Sequence, residues 1–295
     1  LAAGSVASSG ALAMLIPPSV PFIIYGAVSG VSVGALFVGG IVPGIALALA
    51  LSLYIYIRVS LNPEEAPRDT GPKPALSVRI KALGGIWHAL LLILIVLGAI
   101  YSGFATPSEA AAFGAAGAFL IAAGIFRVLT LQKTMRILES SVKVSGTILL
   151  IIGCARIFGD YLNLVRVPEL ITEALVSTPL PDWTILVILM LALVVLGMLV
   201  DAVSLIVVTT PILLPLIVTM GFDPLWFGII LVMNLEIAVV TPPVGLNLYA
   251  LRGVCPMLRI ETIIRSVLPF VAVQFVVLMI FVLFPQLSLW LPSLL

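Results

Sequence analysis

The apolar run 222–250 is cut by Thr241-Pro242-Pro243-Val244-Gly245, and the apolar run 11–30 is cut by Ile16-Pro17-Pro18-Ser19. A proline pair removes two backbone donors and clashes with the preceding turn, so each pair ends a helix inside a segment that is otherwise continuously apolar. The surroundings match as well. Tyr25-Gly26 and Pro43 follow the first pair, and Tyr249-Ala250 and Pro269 follow the second. Pro242 stands 225 positions after Pro17, and Pro269 stands 226 after Pro43. Two similarly punctuated segments at a near-constant offset are the mark of an internal repeat.

The rest of the composition places this repeat in lipid. Of 295 residues, 62% are apolar, 14 are basic and 13 acidic, and the mean hydropathy is +1.32. A soluble domain carries roughly a quarter charged residues, so the chain reads as an all-α polytopic membrane protein. A net charge of +1 without a basic tract leaves nothing for nucleic acid to hold. Cys154 and Cys255 fit no paired spacing, and with His88 as the sole histidine the usual zinc sites are excluded. No P-loop occurs, so ATP hydrolysis is not expected. The opening Leu1-Ala2-Ala3 has no initiator Met and no signal-peptide pattern, which reads as a fragment or a processed product.

Windows long enough to cross about 30 Å of hydrocarbon lie near 33–57, 86–103, 105–127 and 266–290. The runs 11–30, 183–217 and 222–250 are expected to be broken helices, the second of them at Pro211 and Pro215. The stretch 144–177 holds Arg156, Asp160, Asn163 and Arg166 near its middle and is expected to be a re-entrant hairpin, with 131–143 as an amphipathic surface helix. Twelve basic residues cluster at 58–81, 127–143 and 252–265, and the positive-inside rule places all three clusters in the cytoplasm. Parity of the spans then closes, and it makes 11–30 and 222–250 run in opposite directions. The expected organisation is 1–57 as the C-terminal part of a first inverted repeat and 58–84 as a Pro-rich cytoplasmic linker. Residues 85–143 form scaffold spans with the surface helix, and 144–295 form the second repeat. Nothing before residue 11 matches the elements at 144–240, so over a hundred residues of the first repeat are expected to precede this chain. Oppositely inserted halves, each broken near midplane, form a site that either face of the membrane can expose. That is the architecture of a secondary transporter.

Ionisable residues inside apolar spans are the functional candidates: Glu109, Arg156, Asp160, Asp201 and Glu236. Thr106-Pro107-Ser108-Glu109 reads as a capping box. Arg156 and Asp160, four apart, are expected to form an ion pair. Glu236 either pairs with an arginine or faces a cavity. Asp201, with Ser204, Thr209 and Thr210 after it, suits a cation or substrate pathway, and Asp201, Ser204 and Asn247 are the substrate-binding candidates. Gly197, Thr241 and Asn247 offer backbone or side-chain oxygens for Na⁺, although helix packing accounts equally well for each alone. Gly30-x-x-x-Gly34 and Gly40-x-x-x-Gly44 mark close helix approach.

At Leu15 to Pro21 with Tyr25-Gly26, at Ala105 to Ala111, at Gly197 with Asp201 and Pro211-x-x-x-Pro215, and at Asn234-Leu235 with Thr241 to Gly245, the sequence resembles the large membrane subunit of TRAP transporters, the DctM family. The resemblance implies an ATP-independent permease in the bacterial inner membrane. A periplasmic solute-binding protein delivers an organic acid to it, a small membrane subunit braces it, and inward Na⁺ flow drives uptake by an elevator movement. It also implies one Na⁺ site where Gly197, Ala238, Thr241 and Val244 meet, largely through backbone carbonyls. Family members often have Gly where Ala238 stands. A pseudo-symmetric second Na⁺ site would draw on Ser9, Ala13, Ile16 and Ser19. The acid, whether a C4-dicarboxylate, a sialic acid or a similar carboxylate, is not specified. Competing readings are another ion-coupled transporter of the same superfamily, a passive channel subunit, and an intramembrane aspartyl protease using Asp160 and Asp201. For the protease, the chain lacks the preceding Gly of a GxGD motif and a Tyr before Asp201.

Overall fold

The structure, a computed structural model, describes residues 1–66, 75–78, 84–176 and 179–294. Among these the regular structure is helical, with no strand, as hydrocarbon requires of a spanning chain that is not a closed barrel. Five helices are long and apolar enough to cross a bilayer: Val33–Leu61, Pro107–Ile125, Leu131–Leu164, Ala202–Thr219 and Ile260–Leu283. The chain divides into two compact units, Leu1–Pro67 with Ile151–Leu295, and Arg68–Leu150.

In the larger unit, α1 (Ala2–Ala11) and a short 3₁₀ turn stop ahead of Pro17-Pro18, and α2 (Val20–Ser29) restarts behind Ser19. The Ser19 hydroxyl accepts the Phe22 amide and donates to the Met14 carbonyl, bridging the interruption. Gly30, with φ at +78°, ends α2 in the left-handed region. It is a stop signal and not the close approach expected of it, since a Cβ there would meet nothing within 4 Å. The long α3 (Val33–Leu61) then carries Pro43 inside it. Gly40 and Gly44 do allow close packing, because a Cβ at Gly40 would lie 2.9 Å from the Leu15 carbonyl and one at Gly44 3.0 Å from Ile16. The glycine stripe of α3 thus receives the broken segment itself.

The C-terminal part repeats this order. Helix α10 (Pro224–Ala238) stops ahead of Pro242-Pro243, α11 (Leu246–Val254) restarts behind Gly245, and the long α12 (Ile260–Leu283) carries Pro269 inside it. Both proline pairs are cis. The packing is reciprocal: α1 lies against α11 and α12, α10 lies against α2 and α3, and α3 and α12 pack on each other. Hydrogen bonds follow the same exchange. Tyr25 Oη donates to the Pro224 carbonyl at 2.7 Å, and Asn247 Nδ2 donates to the Ala7 carbonyl at 3.3 Å. Glycine marks the two close contacts, since a Cβ on Gly4 would lie 2.1 Å from the Ser266 carbonyl and one on Gly228 2.3 Å from the Tyr25 ring.

Three expectations need correction. The smaller unit holds α4 (Trp87–Tyr101), α5 (Pro107–Leu120) with a π turn after it, and the first part of α6 (Leu131–Leu164). Residues 131–143 and the first arm of the expected hairpin are therefore one helix. No proline separates Lys143 from Val144, and the Lys143–Glu139 pair at 2.7 Å and the Thr147 hydroxyl on the Lys143 carbonyl both reinforce the helix there. The turn comes at Val165-Arg166, ahead of α7 (Val167–Val176). Second, the run 183–217 breaks between α8 (Asp182–Gly197) and α9 (Ala202–Thr219), with Pro211 and Pro215 inside α9. A lone proline removes one amide and kinks a helix, whereas Asp201 ends the run because its carboxylate can cap a new start. Third, the last span runs Ile260–Leu283, and Pro285 separates it from the short α13 (Gln286–Leu289). Residues 67–74 and 79–83 of the expected linker 58–84, with Arg68, Lys73, Arg79 and Lys81, lie outside the described residues.

The Gly228 contact gives a pair of expected outcomes. Gly228→Ala should destabilise the detergent-purified protein by about 1–3 kcal/mol, because the Tyr25 ring has to move. Gly253→Ala, where a Cβ meets nothing within 4 Å, should stabilise by about 0.5–1 kcal/mol through helix propensity alone. Thermal unfolding of the two variants checks the opposite signs.

Candidate functional site

A helix that stops in an apolar interior leaves its last carbonyls without amide partners. In the segment after α10, the Val240 amide donates to the Ile237 carbonyl at 3.3 Å, the Thr241 amide to Ala238 at 3.1 Å, and the Asn247 amide reaches back to Val239 at 3.1 Å. The carbonyls of the next five residues, Val240 to Val244, receive no backbone amide among the described residues. Val240 and Thr241 are buried. The Thr241 hydroxyl donates to the Ile237 carbonyl at 2.6 Å, which commits its proton and leaves its lone pairs free.

Gly197, at the end of α8, packs directly on this segment. A Cβ there would lie 2.7 Å from the Ala238 Cβ, so any larger residue would push α8 away from the end of α10. Gly197, Ala238 and Thr241 therefore share one neighbourhood, with Val244 in the same interrupted segment. The donor set is oxygen only, carbonyls and one hydroxyl, which matches a hard monovalent cation and no soft metal. At the first break, the carbonyls of Leu15, Ile16, Pro17 and Pro18 likewise receive no backbone amide. Ser19 is buried there, while Ser9, Ala13 and Ile16 are exposed.

The substrate candidates are not gathered in one place. Asp201 is the N-cap of α9, its carboxylate accepting the Ser204 amide at 3.0 Å. Asn247 is committed to α1 through Ala7. Thr106 and Glu109 form the expected capping box, with the Thr106 amide on Glu109 Oε2 at 2.8 Å. Glu236 is completely buried in α10, and neither carboxylate oxygen has a hydrogen-bond partner among the described residues. Arg156 and Asp160 do not form the expected ion pair; among the described residues only Arg58–Glu65 and Lys143–Glu139 are within 4.0 Å. Both are exposed and line one pocket, and an exposed pair gains little from closing. Their spacing with Asn163, at i, i+4 and i+7, was the available signal that the three share one face.

Five helices fit to cross a bilayer, two of the chain's helices broken at cis proline pairs, and main-chain oxygens left bare at those breaks define a polytopic helical membrane protein with interrupted helices. The chain belongs to the DctM family: residues 1–287 match the family described as "Tripartite ATP-independent periplasmic transporter, DctM component". Among its relatives, the "C4-dicarboxylate TRAP transporter large permease protein DctM" of Vibrio cholerae is 36% identical over 100% of this chain and 68% of its own length. The "2,3-diketo-L-gulonate TRAP transporter large permease protein YiaN" of Escherichia coli is 33% identical over 97% of this chain and 66% of its own. The "Sialic acid TRAP transporter large permease protein SiaM" of Vibrio cholerae is 32% identical over 99% of this chain and 67% of its own. The chain is a transporter permease subunit and not an enzyme, which disposes of the aspartyl protease reading.

Asp201 gives a test of capping against a charge requirement. Asp201→Ala should weaken α9 by about 1 kcal/mol, whereas Asp201→Asn should retain most of that cap. Hydrogen exchange at Ala202 to Ser204, which opens in the first variant and not in the second, checks it.

Proposed function

We propose that this chain forms the membrane pathway of a tripartite transporter in the bacterial inner membrane, taking up an organic acid by symport with Na⁺. A periplasmic solute-binding protein delivers the acid, and a small membrane subunit braces the permease. The relatives' names favour acids such as a C4-dicarboxylate, 2,3-diketo-L-gulonate or a sialic acid. The observation that carries the Na⁺ reading is the row of amide-free carbonyls from Val240 to Val244, beside a Thr241 hydroxyl whose proton is already committed. Oxygens of this kind replace the hydration shell of a small cation, and a break at membrane depth supplies them without a buried charge.

Gly197, Ala238, Thr241 and Val244 hold the first ion in this reading. The segment with Ser9, Ala13, Ile16 and Ser19 contributes to a second. The reciprocal packing of α1–α3 on α10–α12 is what a pseudo-two-fold relation between the two segments produces, and it supports reading them as inverted repeats. Inverted repeats have two interchangeable arrangements about one site, which is the basis of alternating access. An elevator movement of the broken helices is the form of it proposed here. Asp201 and Ser204, at the turn after Gly197, are the side chains proposed to offer a substrate hydrogen bonds.

The test is uptake by proteoliposomes containing the complete transporter, with a binding protein supplied outside. An inward Na⁺ gradient should be required, and uptake should vanish without the binding protein. Thr241→Ala should raise the Na⁺ concentration for half-maximal uptake roughly tenfold, the loss of one coordinating oxygen, and Thr241→Ser should restore it. Uptake indifferent to Na⁺ rejects the coupling, and an unchanged Na⁺ requirement in Thr241→Ala rejects that ligand set.

A further inference from the structure

Away from the proline-pair breaks, the larger unit holds a partly open pocket of about 260 Å³ between α6, α9 and the end of α2, with Arg156 and Asp160 exposed in it. From α6 come Arg156, Asp160 and Asn163, and from α9 come Val207, Pro211 and Pro215. We infer that this cavity is a binding station for the carboxylate of the transported acid, with Arg156 as the anion-binding group and with Asp160 and Asn163 meeting hydroxyl or amide hydrogens of the same molecule. The inference rests on the reading of the chain as an organic-acid permease and adds a site to it.

One observation and two general principles support it. Arg156 and Asp160 stand four apart on one helix and can reach each other, yet no such pair forms among the described residues, and both side chains line the same space with their hydrogen-bonding groups open to a ligand. Charges at membrane depth are expensive to keep and mark substrate pathways when they face a cavity. The guanidinium fork is the side chain best matched to a carboxylate, gripping both oxygens at once.

The walls fit that role. A Cβ on Gly159 would lie 3.3 Å from Pro211, so α6 and α9 touch there and the absence of a side chain sets the width of the cavity beside Arg156 and Asp160. Proline at 211 and 215 leaves the carbonyls of Val207 and Pro211 without their i+4 amides, which adds acceptors to the α9 wall for a ligand's hydroxyl groups. An adjoining cavity of about 240 Å³ shares Asn163 and Pro215 and is lined by Glu169 and Glu173. Its carboxylates repel an anion, so the acid is held at the Arg156 end and its hydroxylated part points toward Asn163.

The experiment uses the complete transporter in proteoliposomes with succinate, 2,3-diketo-L-gulonate and a sialic acid as probes. Wild type should take up at least one. Arg156→Gln should then raise KM for that acid about 10- to 100-fold with little change in maximal rate, the loss of a charge-assisted, two-pronged hydrogen bond, and Arg156→Lys should recover part of it. No uptake of any probe by wild type removes the reading of the chain as a permease for these acids and the station with it. Normal uptake with KM unchanged in both variants overturns the station alone. A second measurement does not depend on those variants: Asn163→Cys, with Cys154→Ser and Cys255→Ser, is modified by a charged thiol reagent. The transported acid should slow modification several-fold. A rate the acid does not alter overturns the proposal, including the case in which a lipid phosphate already occupies Arg156.

Discussion

Every buried backbone amide and carbonyl needs a partner, and in a chain this apolar the helix is almost the sole means of supplying it. Proline breaks that rule locally. At Pro17-Pro18 and Pro242-Pro243 the helices stop where water is scarce, and the freed groups are only partly taken up by Ser19, Thr241 and the Asn247 amide. The remaining carbonyls are a standing demand for positive charge. The packing around the breaks meets the same demand sterically: Gly40 and Gly44 open a groove for Leu15 and Ile16, and Gly197 lets α8 close against Ala238. A side chain at any of these glycines would separate the bare oxygens from the elements that shield them.

The reciprocal contacts explain how two interrupted helices survive in one molecule. A broken helix has half the cooperative length of a whole one, so each piece must be held by something else. Here α1 and α11 are held through Asn247 and Ala7, and α2 and α10 through Tyr25 and Pro224. The long helices α3 and α12, each carrying one proline, pack together and complete the arrangement. Each segment thereby supplies the support that the other's break removes. Along α10, the Asn234 amide donating to the Met190 carbonyl at 2.9 Å and the Trp226 indole donating to the Phe281 carbonyl at 2.9 Å tie this helix to α8 and α12.

What could be read from the residues was what local backbone chemistry decides. The proline pairs, the capping box at Thr106 and the apolar spans are one-dimensional signals, and the helices end or begin where those signals lie. The misread places are those where local chemistry is permissive. Pro211 and Pro215 are single prolines, each removing one hydrogen bond, and packing of α9 against α2 and α7 carries the helix through them. Polar residues from Glu139 to Thr147 looked like a boundary, but serine, lysine and threonine are tolerated in a helix when their side chains bond within it, as Lys143 and Thr147 do. The unpaired state of Arg156 and Asp160 depends on α9 lying opposite them, which no spacing within α6 records. Glu236 is the remaining case: its burial was legible, and its lack of a partner among the described residues has no local cause.

Main chain and side chain divide the proposed work in a way that bears on how such a family diversifies. A cation held largely by carbonyls depends on where the backbone breaks and little on which side chain stands at each position. An acid held by Arg156, Asp160 and Asn163 depends on side chains, and each can be exchanged without moving a helix. Relatives at 32–36% identity carry names for acids as different as a C4-dicarboxylate and a sialic acid. In the proposed scheme, interrupted helices fixed by proline pairs and glycine contacts hold the coordinating carbonyls in place, while the helix faces around them remain free to change.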